Sequence, residues 1–279
     1  MAARLTTFSN GSYTFDVLDE GPLDGAVVVL LHGFPQTATS WAKVVPQLHA
    51  LGFRTVAPTQ RGYSPGARPR GRFAYRMSAL VGDVRALIEA LDSGPVHLVG
   101  HDWGAAVGWA VSARHPEMVR SFTSVSVPHP LAFLRSMLTT TQVLRSWYML
   151  AFQVPWLPEW LLGMTAQLRK GLTRAGLSAE QVEHVVAEVA ATGGMRGAVN
   201  WYRAMFIAGP KSLLTVRVPT THVWSTRDRF VTRRSAELAA RYVRGPYELE
   251  VLDASHWIPD ERPAELAAII ATRSAAARV

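Results

Sequence analysis

The chain has 279 residues, of which 48% are hydrophobic, enough to bury one large core or a core with an inserted subdomain. Its formal net charge is +8, but the basic residues are scattered and accompany no nucleic-acid-binding motif, which favours a solvated basic surface over nucleic-acid binding. The absence of cysteine excludes disulfides and thiolate metal sites, and no apolar run is long enough to span a bilayer.

The first part of the chain predicts strands that alternate with helices. Residues 12–18 alternate roughly between polar and apolar side chains, which indicates a strand. Residues 26–31 are β-branched and apolar on both faces, as expected of a central parallel strand. A second buried strand is predicted at 54–57. Residues 77–91 have apolar side chains at helical spacing and predict a helix, with Ser78 as its N-cap.

The next strand leads into the motif around which the chain is organised. Residues 95–99 predict a buried strand, and the small apolar residues that follow position 104 predict a buried helix. Gly100 and Gly104 flank Asp102 at equal distances, as in the sharp strand–turn–helix elbow that presents a nucleophile. Asp102 occupies the position that serine usually holds. Taken alone, this glycine spacing also fits a simple packing turn.

The chain changes character in its middle part. Another strand, at 121–127, completes a pattern that predicts a mostly parallel sheet. Residues 129–216 are rich in Leu, Met, Trp and Ala, predict helices and show no clear strand, which indicates an inserted helical cap. Ser178 is predicted to begin one of these helices. We therefore divide the chain into core residues 1–128, a cap at 129–216 and core residues 217–279.

Three chemical groups follow predicted strands in the order nucleophile, acid, histidine: Asp102, Asp228 and His256. The strands and helices predicted after the cap are at 218–224, 235–243, 247–252 and 263–272. A carboxylate is already ionised at neutral pH and can attack as a nucleophile, which gives an ester. Hydrolysis of that ester needs a base that activates water, for which we select His256, oriented by Asp228. The other histidines, His32 and His101 among them, are assigned structural roles.

The sequence resembles the α/β-hydrolase superfamily and, within it, the epoxide hydrolases with an aspartate nucleophile, over nearly its whole length. Residues 100–104 (Gly-His-Asp-Trp-Gly) match the family's elbow, and residues 32–35 (His-Gly-Phe-Pro) match its oxyanion loop. The resemblance implies an α/β-hydrolase fold, with a mostly parallel eight-stranded sheet and an inserted helical cap. It also implies an oxyanion hole formed by the backbone N–H groups of Phe34 and Trp103, and a cis peptide bond before Pro35.

The cap carries a second part of the resemblance. Epoxide hydrolases of this family use two cap tyrosines, whose hydroxyls donate hydrogen bonds to the epoxide oxygen. Residues 200–203 (Asn-Trp-Tyr-Arg) match the motif for one of them, Tyr202, and residues 146–153 supply Tyr148 as the other. The alternative is that both tyrosines only pack the cap core. The side chains that we expect to bind substrate are Trp147, Phe152, Trp156 and Met205.

One loop departs from the family pattern. In many relatives the loop after the second buried strand reads Asp-x-Arg-Gly-Tyr-Gly-x-Ser, whereas here Thr59 replaces the Asp and Ser64 replaces the following Gly. Because these positions hold loop geometry, we interpret the departure as a subfamily difference.

Other activities fit parts of the pattern. Haloalkane dehalogenases share the aspartate nucleophile but commonly bind halide with an Asn at the position of Phe34. This chain lacks that donor, so a cap tryptophan would have to supply the N–H group instead. The candidates for that replacement are Trp147, Trp156, Trp160 and Trp201. Fluoroacetate dehalogenases share residues 32–36 but usually carry Arg where this chain has Trp103. A serine esterase is excluded by Asp102, and a non-catalytic binding protein of the same fold has no need of all three triad residues.

The sequence thus predicts an epoxide hydrolase. Asp102 attacks an epoxide carbon while Tyr148 and Tyr202 donate to the oxygen, and His256 with Asp228 then activates water to release a vicinal diol. This mechanism needs no metal or organic cofactor. The expected partners are a small apolar epoxide and water, without nucleic acid or a membrane span. The amino terminus lacks the apolar segment of a secretory signal, so we expect a soluble, cytoplasmic monomer or homodimer.

Overall fold

A central sheet organises the protein in this computed structural model, which describes residues 3–156, 158, 165–207 and 215–277. The strands are β1 (Thr7–Asn10), β2 (Tyr13–Glu20), β3 (Val27–Leu31), β4 (Arg54–Pro58), β5 (Val96–His101), β6 (Val119–Val125), β7 (Thr220–Ser225) and β8 (Tyr247–Leu252). They form one eight-stranded sheet in the order β1-β2-β4-β3-β5-β6-β7-β8. The pairs β1–β2 and β2–β4 are antiparallel and all others are parallel, which confirms the predicted sheet.

Helices connect the parallel strands and fill the region between β6 and β7. They are α1 (Val45–Ala50), α2 (Met77–Leu91), α3 (Trp103–Arg114), α4 (Pro130–Thr139), α5 (Gln142–Arg145), α6 (Trp147–Ala151), α7 (Thr165–Ala175), α8 (Ala179–Val185), α9 (Met195–Ala204), α10 (Arg233–Leu238), α11 (Ile258–Glu261) and α12 (Pro263–Ala276). A π-helix at Val186–Ala190 extends α8, and a short 3-10 helix at Met205–Ile207 extends α9.

The central strands are buried because both faces of the sheet are covered by helices. Side chains of β3 alternate between two hydrophobic cores: Val29 and Leu31 belong to one, and Val28 and Leu30 to the other. The first core includes residues of α2 and α3, and the second includes residues of α1 and α12. A parallel strand with helices on both faces needs apolar side chains at every position, which explains the continuous apolar run of β3.

The described residues between β6 and β7 form helices α4 to α9 and contain no strand. Helix α9 packs directly on the core, where a Cβ atom at Gly197 would collide with the backbone of Gly62. One residue before Gly62, the carbonyl oxygen of Arg61 accepts a 2.8 Å hydrogen bond from the indole N–H of Trp201. Helix α9 therefore has a fixed position on the loop that follows β4.

Several predicted boundaries differ from the structure. Helix α2 begins at Met77 with Arg76 as its N-cap, so the prediction of Ser78 as N-cap is wrong. Ser178 does cap α8, because its hydroxyl accepts a hydrogen bond from the N–H of Gln181. The predicted helix at 235–243 begins two residues earlier and continues after Leu238 as a 3-10 helix. Within the described ranges, no helix has the length and hydropathy needed to cross a bilayer.

Candidate active site

The turn between β5 and α3 presents Asp102 at the carboxyl end of the sheet. Asp102 is the N-cap of α3 and has φ of 51° and ψ of −118°, a backbone conformation that residues other than glycine rarely adopt. Close approach explains the flanking glycines: a Cβ at Gly100 would collide with the carbonyl group of Gly104, and one at Gly104 with that of Leu31. The sequence pattern of an elbow is therefore realised as a sterically tight turn that points Asp102 away from the sheet.

The three residues predicted from their chain order are brought together. Nδ1 of His256 donates a 2.8 Å hydrogen bond to Oδ2 of Asp228, and Nε2 of His256 lies 3.4 Å from Oδ2 of Asp102. The side chains of His256 and Asp228 are buried, and that of Asp102 is 14% exposed. The imidazole therefore stands between two carboxylates, one held inside the protein and one at the edge of a cavity.

The two carboxylates determine the protonation of His256. Burial acts to lower the pKa of His256, but the charges and hydrogen bonds of Asp228 and Asp102 outweigh it and raise the pKa to about 10. Burial likewise acts to raise the pKa of Asp102, but His256 and the N–H of Phe34 overcome this and hold that pKa below its ordinary value. At neutral pH the arrangement is an imidazolium between two carboxylates.

Asp228 is fixed by the loop that follows β7. Its Oδ1 accepts hydrogen bonds from the backbone N–H groups of Phe230, at 2.7 Å, and Val231, at 2.9 Å. Such bonds to the N–H groups two and three residues ahead are typical of an aspartate that organises a turn. With Oδ1 occupied in this way, Oδ2 is left to accept from His256.

The loop after β3 contacts Oδ1 of Asp102, the carboxylate oxygen other than the one near His256. The backbone N–H of Phe34 donates a 2.8 Å hydrogen bond to Oδ1 of Asp102, and the Phe34–Pro35 peptide bond is cis, as predicted. Trp103 is the first residue of α3, a position at which a backbone N–H has no acceptor within the helix. Of the two N–H groups predicted for an oxyanion hole, that of Phe34 thus contacts the carboxylate, and that of Trp103 lies at the amino end of α3, next to Asp102 in the chain.

Tyr148 on α6 and Tyr202 on α9 meet edge to face, with ring centroids 5.9 Å apart. Burial, followed by the charges of Asp102 and Asp228, raises the pKa of Tyr148. Burial, followed by Tyr148 and Asp102, raises the pKa of Tyr202 well above its ordinary value. Both phenols therefore stay protonated at neutral pH and keep an O–H group that can donate.

A cavity of about 380 Å³ joins these groups, since Asp102, His256, Tyr148 and Tyr202 all contribute to its wall. The remaining wall is almost entirely apolar. It includes Met77, Leu80, Trp103, Ala106, Ala110, Phe133, Leu134, Met137, Val143, Met149, Leu150, Met205, Phe206 and Phe230. The size of the cavity and its few polar groups are typical of a small-molecule site.

The structure corrects three of the four predicted substrate-binding residues. Met205 lines the cavity, whereas Trp147 and Trp156 do not and are 67% and 83% exposed. Because successive helical residues differ by about 100° in direction, Trp147 turns outward when its neighbour Tyr148 turns inward. Phe152 is placed behind the wall, where its ring packs against Tyr202 with centroids 4.8 Å apart.

The neighbouring histidines support the loops, as predicted. Nε2 of His32 accepts a hydrogen bond from the N–H of Gln60, and Nε2 of His101 donates to the carbonyl oxygen of His256. Burial is the main cause that lowers the pKa of each to about 4, so both are neutral at pH 7. Within the described residues, no group of three His, Asp or Glu side chains is placed to hold a metal ion.

Sequence reasoning missed the cap residues that hold the Asp228 loop. The amide of Gln142 on α5 donates to the carbonyl oxygen of Phe230 and accepts from the N–H of Thr232. Arg145 donates to the carbonyl oxygen of Asp228 at 2.7 Å. Because the partners are backbone groups 83 to 90 positions away along the chain, no local pattern could have identified these contacts.

Comparison with known proteins places this geometry among related chains. Residues 26–263 match the family described as alpha/beta hydrolase fold. The chain is 34% identical over 269 residues to epoxide hydrolase 3 of Xenopus tropicalis, covering 92% of this chain and 73% of that protein. It is also 34% identical over 267 residues to the AB hydrolase superfamily protein YfhM of Bacillus subtilis, covering 90% of this chain and 91% of the relative.

A solved structure agrees over almost the whole fold. It is a variant of an epoxide hydrolase from Bacillus megaterium in complex with its naphthyloxy-propanediol product. The similarity has a TM-score of 0.84 with 26% sequence identity, and it covers 96% of this chain and 99% of that chain.

Proposed function

The chain belongs to the alpha/beta hydrolase fold family, and we propose that it hydrolyses epoxides to vicinal diols through a covalent ester on Asp102. One observation carries the proposal: the Asp102 carboxylate shares a cavity with His256, which is paired with Asp228, and with two phenols, the half-buried Tyr148 and the buried Tyr202. A nucleophile, a general base and proton donors are the groups that this reaction needs. Relatives named as epoxide hydrolases support the same activity.

The first step of the proposed mechanism opens the epoxide. Oδ2 of Asp102 attacks one ring carbon, a C–O ester bond forms, and the ring C–O bond breaks. The electron pair of that bond goes to the epoxide oxygen, which takes a proton from a phenol of the Tyr148–Tyr202 pair. Without this proton the oxygen would leave as an alkoxide, a poor leaving group. The raised pKa values of both phenols support the role, because an ionised phenol could not donate.

Formation of the ester prepares the second step by removing a charge. In the resting state the Asp228 and Asp102 carboxylates together raise the pKa of His256 to about 10. An ester on Asp102 is neutral, so the pKa of His256 then falls. Its extra proton passes to the phenolate left by ring opening, which restores the phenol and leaves a neutral imidazole that can act as a base. His256 takes a proton from water, and the resulting hydroxide attacks the ester carbonyl carbon.

The oxyanion that forms in this second step needs hydrogen-bond donors. The 2.8 Å bond from the Phe34 N–H to Oδ1 of Asp102 supports a role of Phe34 at this oxygen, together with the N–H of Trp103. Loss of one such donor typically costs about 3–4 kcal/mol of transition-state stabilisation. Collapse of the intermediate breaks the ester bond, and His256 returns a proton to the departing diol oxygen. The carboxylic acid left on Asp102 then gives its proton to His256, which restores the resting ion pair.

The proposal also assigns different catalytic groups to the core and to the cap. Core residues 1–128 and 217–279 carry Asp102, Asp228 and His256, while the cap at 129–216 carries both tyrosines. The continuous helical character of the described cap residues supports these boundaries. We propose that the cap supplies proton donors and the apolar wall, and that the core supplies the nucleophile and the base.

Dehalogenase activity is the alternative with the same nucleophile, and it requires a halide donor from the cap. The indole N–H of Trp201 is already donated to Arg61, and Trp147 and Trp156 are exposed. Trp160 lies outside the described residues. These placements favour epoxide chemistry over halide release.

A paired assay on the purified protein tests the proposed function. One arm follows diol formation from styrene oxide and an aliphatic epoxide, and the other follows halide release from bromoalkanes and fluoroacetate. We expect diol without halide, and loss of diol formation in Asp102→Ala. Halide without diol would replace the proposal with a dehalogenase, and inactivity of the folded protein in both arms would replace it with a binding protein.

A further inference from the structure

Helix α3 continues the cavity away from the nucleophile. Trp103, Ala106 and Ala110 line it at positions i, i+3 and i+7, the spacing of one helix face. At a rise of 1.5 Å per residue, Ala106 and Ala110 lie about 6 Å and about 12 Å along the helix axis from Asp102. Since alanine projects only a methyl group, this face of α3 takes up little of the cavity.

The walls around this face of α3 are apolar. Met77 and Leu80 of α2, together with Phe133 and Met137 of α4, bound the same cavity. No Lys or Arg is found among the described residues that line it. Ala110 and Leu80 line the cavity but are almost fully buried in the hydrophobic core, so the cavity ends against them.

We infer that this α3 groove, defined by Ala106, Ala110, Met77, Leu80 and Met137, binds an elongated, uncharged substituent of the epoxide. The inference rests on the proposed function and names its substrate class: epoxides with an apolar arm long enough to follow α3 for two turns. Ala106 and Ala110 set the length of the arm that the site accepts. They are specificity-determining residues, since they bind the arm and do not touch the reacting atoms.

Two physical arguments lead to this class. An apolar arm gains binding free energy in proportion to the apolar surface that it buries, and the residues that define the groove are all apolar. A carboxylate at the far end of the arm would lose its hydration without meeting a cation or a set of donors, which carries a large cost. Long neutral epoxides should therefore be better substrates than either short epoxides or long epoxides with a terminal charge.

The test measures kcat/KM for terminal epoxyalkanes from epoxybutane to epoxydodecane. We expect kcat/KM of the wild type to rise with chain length. In Ala110→Phe, the ratio of kcat/KM for the longest substrate to that for the shortest should fall about ten-fold or more. In Ala106→Phe the decline should begin at shorter chains, because that residue lies closer to Asp102. Ala90→Phe, at an exposed position of α2, is the matched control and should leave the series unchanged.

A second arm tests charge with a pair of long terminal epoxides that differ only at the far end, one bearing a carboxylate and the other its methyl ester. We expect kcat/KM for the carboxylate to be lower than that for the methyl ester by about ten-fold or more. If Ala110→Phe fails to fold, Met137→Trp narrows the groove from the opposite wall.

The outcomes separate the two proposals. Hydrolysis of the whole series without dependence on length, or with the same dependence in both alanine variants as in the wild type, would overturn the groove assignment and leave the proposed function intact. Equal rates for the acid and its ester would also overturn it. No hydrolysis of any epoxide by the folded wild-type protein would overturn the proposed function itself.

Discussion

The backbone N–H of Phe34 and Oδ1 of Asp102 are joined by a hydrogen bond of 2.8 Å, while Oδ2 of Asp102 lies 3.4 Å from Nε2 of His256. The two oxygens of one carboxylate therefore have different neighbours: a neutral donor from the core loop and an imidazole. In the proposed mechanism, Oδ1 becomes the carbonyl oxygen of the ester and Oδ2 forms the new bond to carbon. The resting structure thus gives the two oxygens the separate neighbours that the proposed mechanism uses.

Replacement of His256 by Gln should trap the ester. The variant keeps Asp102 but lacks the base for the second step, so we expect a mass increase equal to one substrate molecule after incubation with epoxide. Intact-mass measurement followed by peptide mapping should place the adduct on Asp102. The double variant Asp102→Ala/His256→Gln is the control and should gain no mass. Absence of an adduct in the single variant, where the wild type turns over, would contradict the covalent route.

Removal of the phenol hydroxyls should slow ring opening. Tyr148→Phe and Tyr202→Phe should each lower kcat/KM about ten- to a hundred-fold, because each removes a donor to the epoxide oxygen. The double variant should lose more than either single variant. Tyr247→Phe is a suitable control, since the buried Tyr247 hydroxyl has no partner in the described part of the chain and lies outside the cavity wall. Unchanged ester formation by the double variant in rapid-quench measurements would contradict the assignment.

The protonation of His256 should make the free energy of unfolding depend on pH. The pKa of His256 is about 10 in the folded protein and near its ordinary value of about 6.5 in the unfolded chain. Between these values the folded state binds the extra proton. The stabilisation is therefore complete below about pH 6.5 and is lost as the pH rises through about 10, with a slope of at most about 1.4 kcal/mol per pH unit.

Urea unfolding of the wild type at several pH values checks this dependence, with His256→Gln as the reference. The variant should be less stable at neutral pH, because it leaves Asp228 buried without its partner. It should also show a flatter dependence on pH above 7. Parallel curves for the two proteins would show that His256 does not carry the extra proton.

Two glycines should respond oppositely to the same substitution. Gly104→Ala should destabilise the protein by about 1–3 kcal/mol, because the added methyl group collides with the backbone of Leu31 beneath the elbow. Gly171→Ala, in α7, meets no atom within 4 Å and should stabilise it by about 0.5–1 kcal/mol. Thermal or urea unfolding distinguishes them. Equal effects of the two substitutions would contradict the steric explanation of the elbow.

The parts of the site that follow strands could be predicted from the sequence. Asp102, Asp228 and His256 each come after a segment whose residue pattern, length and flanking residues predict a strand, and parallel strands bring such positions to one edge. The elbow could be predicted because its steric demand leaves glycine as the residue that fits at 100 and 104. In each case a strong local constraint appears directly in the residue types.

Other features depend on tertiary contacts that leave weaker traces. Strand β1 was missed because only Phe8 of its four residues is buried, so no alternation is visible. Helices α5 and α6 have four and five residues, too few for periodicity to indicate which face is buried. The sequence therefore could not distinguish the outward Trp147 from the inward Tyr148. Ala106 and Ala110 were missed because alanine in a buried helix is ordinarily a packing residue.

The contact of α9 with the loop after β4 has a practical consequence for building chimaeras. Tyr202 follows Trp201, whose indole is bound to Arg61, and Gly197 touches Gly62 one turn earlier on the same helix. The position of Tyr202 thus depends on the loop after β4, which lies outside the inserted region along the chain. A graft that exchanges residues 129–216 between relatives should transfer the 59–64 loop with them, so that α9 keeps its contacts with this loop.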